Sequence, residues 1–156
     1  MYDKTKFSML NIDDFFSSEQ YQTIEDFSYA DVQGILKGGY QIEFFYILDH
    51  VEVLSIQEVM DNTFLIDKAN QILSYLGFDF KIGQPFELTD EFNHNYRFKD
   101  GSYNKDYMLY YYDFEDMLIV LGITWEGILV SFEMVNNKTI INNRLEFFIP
   151  NILRIV

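Results

Sequence analysis

With 156 residues, 49% of them hydrophobic, the chain suits one domain with a sizeable core and is short for two. The absence of cysteine excludes a disulfide scaffold and thiolate metal ligation, and fits a reducing compartment, the cytoplasm by default. A formal net charge of -14, from 25 acidic against 11 basic residues, disfavours a nucleic-acid or anionic-membrane binder.

The N-terminus carries Lys4, Lys6, Asp13 and Asp14 with no apolar leader-like run, and no stretch approaches the ~18 apolar residues of a membrane span. Neither an export signal nor a membrane segment is expected. Between Phe7 and Asp67, 12 acidic residues stand against Lys37 alone, so one end of the chain holds -11 of the -14.

Ser17 and Gln20 have capping-box spacing, and Tyr21, Ile24 and Phe27 form an apolar stripe behind them, which predicts a helix there. Tyr29 to Lys37 either extends that helix or forms a strand, and Gly38-Gly39 ends it in both cases. Tyr40 to Leu48 alternates, Asp49-His50 interrupts it, and Val51 to Leu54 resumes, the pattern of a hairpin. Ser55-Ile56-Gln57-Glu58 is a second capping box. The apolar set Leu65, Ile66, Ala69, Ile72, Leu73 and Leu76 shares one helical face that the earlier Ile56, Val59 and Met60 do not, so the helix is predicted over about 62–76, ending at Gly77.

Phe78 to Ile82 and Phe86 to Leu88 flank Gly83-Gln84-Pro85 as a strand-turn-strand signal, and Tyr96 to Lys99 meets the hairpin cue Asp100-Gly101. Tyr107 to Tyr112, Met117 to Thr124 and Ile128 to Val135 then form an antiparallel meander. Both faces of Met117 to Ile123 are apolar, so that strand should be central and covered on both sides. In the next strand the face with Leu129, Ser131, Glu133 and Val135 should be only partly dry. Asn136-Asn137 turns the chain into Lys138 to Asn142, Leu145 to Ile149 precedes Pro150, and the apolar end from Ile152 to Val156 should be docked. The expected fold is a single α+β domain over 1–156: mostly antiparallel sheet around a hairpin at about 117–135, the 62–76 helix, and one or two N-terminal helices.

Catalytic signatures are missing. There is no Gly-x-Ser-x-Gly elbow, no His-Glu-x-x-His, no calcium loop and no phosphate-binding loop, and Asn137-Lys138-Thr139 matters only on an exported chain. Only His50 and His94 exist, both in expected loops or strand ends. No catalytic residue, metal ligand or cofactor is assigned. What remains is recognition. Tyr110, Tyr112, Asp113, Glu115 and Asp116 place aromatic area beside carboxylates at a strand end, a contact patch for a basic protein. Asp13, Asp14, Glu19, Glu25 and Asp26 supply a steering field.

The leading functional expectation is an acidic inhibitor of the immunity or antitoxin type, which neutralises a basic toxin such as a nuclease by occluding its active site. In kind this is similar to bacterial immunity proteins, small and acidic; the likeness is compositional and carries no residue over. Two other readings stand beside it: an enzyme with dispersed carboxylates and His94, and a module that self-associates through the aromatic edge.

Overall fold

Alternating apolar runs build an eight-stranded antiparallel sheet in the computed structural model, which describes residues 2–26, 30–36, 40–94, 96–114 and 116–146. The strands are β1 (Gln22–Asp26), β2 (Ala30–Leu36), β3 (Tyr40–Ile47), β4 (His50–Ile56), β5 (Phe98–Asn104), β6 (Tyr107–Asp113), β7 (Leu118–Thr124) and β8 (Leu129–Val135). The helices are α1 (Lys4–Ser8), α2 (Thr63–Leu76) and α3 (Lys138–Glu146), with a 3₁₀ turn at Ile12–Asp14. Strand order is β1-β2-β3-β4-β8-β7-β6-β5. Two meanders thus meet along β4 and β8, and each is followed in sequence by a helix. The molecule is a single α+β domain, as the patterning predicts.

One face of the sheet carries the main core. Ile42, Phe44, Leu54, Ile119, Leu121, Phe132 and Met134 pack there with Phe7 of α1 and with Leu65, Ala69, Ile72, Leu73 and Leu76 of α2. On the other face, Val53, Leu118, Val120 and Val135 pack with Ile141 and Leu145 of α3. The strand expected to be central, β7, divides its buried side chains between these two clusters.

α2 follows local signals. The Asn62 side chain accepts the Leu65 N–H at 3.1 Å, and Gly77, at φ 96°, ends the helix while the Gly77 and Phe78 N–H groups reach back to Ser74 and Leu73. The rival capping box at Ser55 starts no helix; β4 runs to Ile56. The segment left open at Tyr29 to Lys37 is a strand over its described part.

Four expectations are corrected. At Ser17 the Gln20 side chain does accept the Ser17 N–H at 2.9 Å, half of a capping box, but only one turn closes and the chain becomes β1. The backbone partners offered along β2 outweigh a cap with no packed face behind it. The N-terminal helical structure is α1 and the 3₁₀ turn. Phe78 to Leu88 forms no hairpin. Asn70 of α2 occupies both backbone groups of Ile82, at 2.8 and 3.2 Å, while Phe78 and Phe80 lay their rings on Phe132, so this segment covers the sheet and joins it through the antiparallel Pro85–Ile128 bridge at the start of β8. Asp100-Gly101 lies within β5 at a shift in register, and the turn comes at Lys105-Asp106. Finally, Lys138–Glu146 is a helix that the expected count omits, opened by the Asn137 side chain accepting the Ile140 N–H at 3.0 Å. The expected docking of Ile152 to Val156 falls outside the described residues.

The β3–β4 turn sits one residue earlier than expected. Leu48 and Asp49 occupy it with φ of 49° and 67°, the geometry of a two-residue primed turn that favours Asn and Gly. Leu48 is 72% exposed, so its burial offers no compensation for a left-handed backbone. Leu48→Asn should therefore stabilise the fold by about 0.5–1 kcal/mol, read as a higher denaturant midpoint at unchanged slope.

Candidate functional site

Period-two alternation and the strand registers carry polar side chains onto the second face of the sheet, in keeping with the partly dry face expected of β8. Gly34, Glu43, Ser55, Glu133, Val120 and Tyr111 lie directly opposite one another on β2, β3, β4, β8, β7 and β6. The neighbouring row brings Ser131 opposite Gly122 and Gly122 opposite Leu109, which faces Asp100 on β5. With Ile140, Asn143 and Arg144 of α3 along one side, these rows line a cleft of about 890 Å³.

Gly122 keeps its floor open. A Cβ there would lie 2.0 Å from the Ser131 hydroxyl oxygen and 3.1 Å from the Tyr107 ring. Ser131 is only 7% exposed and lines the cleft.

The cleft is also charged. Arg144 Nη1 donates to the Glu133 carboxylate at 3.1 Å, and the Glu133 side chain is 20% exposed. Burial pushes the Glu133 carboxyl above the usual glutamate range, the Arg144 charge opposes that shift, and the Glu43 carboxylate adds to it. The Arg144 Nε–H is buried without an acceptor. Phe45, Val53, Leu109 and Val120 supply apolar wall between these groups.

The residues singled out from sequence lie elsewhere. Tyr110 and Tyr112 share the parity of the main core, whereas Tyr111 between them faces the cleft. Tyr112 is 4% exposed, its hydroxyl donates to the Asn93 carbonyl at 2.8 Å, and its ring meets Phe92 edge-on at 5.1 Å. Tyr110 is half-buried against Tyr96 at 5.0 Å. Asp113 pairs with Arg97 and Asp116 with Lys4; Glu115 falls outside the described residues. Asp13, Asp14 and Glu19 are exposed, and Asp13 accepts a hydrogen bond from the Tyr21 hydroxyl. Glu25 and Asp26 lie on β1, the outer strand, opposite Val32 and Asp31. His50 and His94 are exposed and do not line the cleft.

Sequence reasoning missed Glu43, Tyr107, Tyr111 and Arg144 as neighbours. The available signal was polar residues at core parity, of which Ser131 and Glu133 in the Ile128 to Val135 run were the visible cases.

Burial and the neighbouring tyrosines push the Tyr112 phenol up to about 12. A folded-state value above the unfolded one, about 10, means stability present at lower pH is lost as pH rises through the folded value. Wild type should lose stability from about pH 10 to about 12 more steeply than Tyr112→Phe, which itself costs about 1 kcal/mol at neutral pH through the lost hydrogen bond. Denaturant titrations of both proteins at neutral and alkaline pH check this.

In comparisons with known proteins, no family model matches the chain, and neither a curated protein nor a solved structure gives a significant match.

Proposed function

We propose that the chain is an acidic protein-binding inhibitor of the immunity or antitoxin kind, acting in the cytoplasm on a basic toxin such as a nuclease by covering its active site. One observation supports it most. Asp13, Asp14, Glu19, Asp49, Glu58, Asp61 and Asp67 are all exposed, and the described ion pairs engage none of them. Apart from the Tyr21 hydroxyl held by Asp13, the fold gains little from such a field, and its self-repulsion is a cost. A partner with a phosphate-gripping, cationic site is attracted by it and is held near its active surface.

Asp113 and Asp116 enter the reading as an already paired rim beside Tyr110, with Arg97 and Lys4 as their internal partners. Tyr112 contributes by fixing the strand beneath, since its ring is buried. Steering thus falls to Asp13, Asp14 and Glu19.

The test begins with a pull-down at low and moderate salt, followed by kinetics of the purified chain with whatever basic protein is retained. The expected result is an association rate that falls steeply with ionic strength and drops about tenfold or more in the Asp13→Lys, Asp14→Lys, Glu19→Lys triple variant, with little change in folding stability. Retention of no basic protein, or an association rate indifferent to both salt and charge reversal, would sink the proposal.

A further inference from the structure

The turn between β7 and β8 holds Trp125, the only tryptophan of the chain, 64% exposed and yet fixed in place. Its indole N–H donates to the Lys105 carbonyl in the β5–β6 turn at 2.9 Å. The backbone beneath it is equally tied. The Thr124 N–H donates to the Ile128 carbonyl at 2.9 Å, the Gly127 N–H to the Thr124 carbonyl at 2.9 Å, and the Ile128 N–H to the Thr124 hydroxyl at 3.0 Å, with Gly127 at φ 88° closing the turn. A large ring held in one orientation before binding has already lost its rotamer freedom on folding, so its contact area is open to a partner at low entropic cost. Interface anchors are drawn mainly from Trp, Tyr and Arg.

The chemistry around the ring selects the partner group. Glu126 follows Trp125 in its turn, Asp106 follows Lys105 in the neighbouring one, and all four residues are exposed. The Phe86 N–H donates to the Gly127 carbonyl at 2.8 Å, which brings Glu87 and Leu88, both exposed, to the same end of the sheet. Glu87, Asp106 and Glu126 thus stand against Lys105, and the described ion pairs engage none of them. A second copy of the chain, at net -14 and with the same acidic tip, is repelled, as is an anionic ligand. A lysine of a partner answers the charge alone. A guanidinium answers charge and ring together: it is planar, more weakly hydrated than an ammonium, stacks on aromatic faces and offers forked N–H groups to carboxylates.

We propose that Trp125 anchors the basic partner by stacking on an arginine side chain of its surface, with the Glu126 and Asp106 carboxylates accepting the guanidinium N–H groups. This anchor presupposes a basic protein partner, as the inhibitor reading does, and supplies the contact that holds it once the N-terminal acids have steered it in.

The test is titration of the full chain at low salt with hexa-arginine and hexa-lysine peptides, followed by calorimetry and by the emission of Trp125, which no other tryptophan masks. Hexa-arginine should shift that emission saturably and bind about threefold or more tighter than hexa-lysine. In Trp125→Leu the preference should vanish in calorimetry, while the salt-dependent attraction shared by both peptides remains. Glu126→Gln should weaken hexa-arginine about threefold or more, and more than Asp79→Asn, which removes the same charge from an exposed site just beyond α2. An emission unmoved by hexa-arginine, an arginine preference that survives Trp125→Leu, or equal losses in Glu126→Gln and Asp79→Asn would overturn the proposal. The emission needs no variant, so it decides the matter even if a substitution harms the turn. No captured partner enters these titrations. If they fail while a captured basic protein still responds to reversal of Asp13, Asp14 and Glu19, the inhibitor reading stands without this anchor; if capture fails while the arginine preference holds, the turn still binds arginine and only the inhibitor reading falls.

Discussion

Phe132→Ala should cost about 3–5 kcal/mol of folding stability and lower Tm by about 10 °C or more. Phe132 is 1% exposed in the middle of β8, opposite Ile56 on β4 and Leu121 on β7. Its ring meets Phe78 at 5.2 Å, nearly edge-on, and Phe80 at 6.0 Å. Those two rings anchor the irregular segment that follows α2, so the loss has two parts. The transfer free energy of the ring disappears, and a void remains that neighbours pinned in strands cannot fill. Chemical denaturation measures the sum. Phe80→Ala, at a half-buried ring, should cost distinctly less, and a cost for Phe132→Ala under about 1 kcal/mol would mean that the segment does not pack on the sheet as described.

Gly34→Ala should also be damaging, by the opposite mechanism. A Cβ at Gly34 would stand 2.3 Å from the Ile42 carbonyl oxygen and 3.2 Å from the Glu43 Cα, both backbone atoms of β3. Backbone in a paired strand cannot rotate aside as a side chain can, so β2 must separate locally from β3. Overpacking of this kind costs about 1–3 kcal/mol and sometimes more. The damage should also be localised. β1 is joined to the sheet only through β2, so amide exchange should accelerate in β1 and β2 while β5 to β8 keep their protection. Uniform acceleration across all eight strands would refute that localisation.

The two substitutions bear on function through the same geometry. Gly34 lies opposite Glu43, at the end of the row that crosses the cleft, and Phe132 sits on the reverse of the strand that presents Ser131 and Glu133. The main core thus sets the position of the polar row on the other face. A variant that loosens the core is therefore expected to disturb that polar row as well as to lower stability.

What could be read from the sequence had local causes. α2 is bounded by Asn62 and Gly77, and its apolar residues recur at helical spacing, all within a window of 16 residues. β6, β7 and β8 announce themselves by β-branched and aromatic alternation, and the apolar residues on both faces of β7 already imply a central strand. The charge excess and its concentration before Asp67 are properties of composition.

Tertiary structure decided the rest, because a strand's period of two leaves its orientation to its partners. Pairing Tyr112 with Ile119 and Tyr111 with Val120 sends the first ring into the core and the second into the cleft; a shift of one residue would exchange them. The Ser17 turn has a real cap and still yields a strand, since β2 offers hydrogen bonds that a short isolated helix cannot match. Glu43, Asp100, Ser131 and Arg144 are neighbours of one cleft only because β4 pairs with β8 across 80 residues of chain and α3 folds over the second face. Composition made the protein acidic; long-range pairing determined where a charge is exposed, where it is paired and where it lines a cavity.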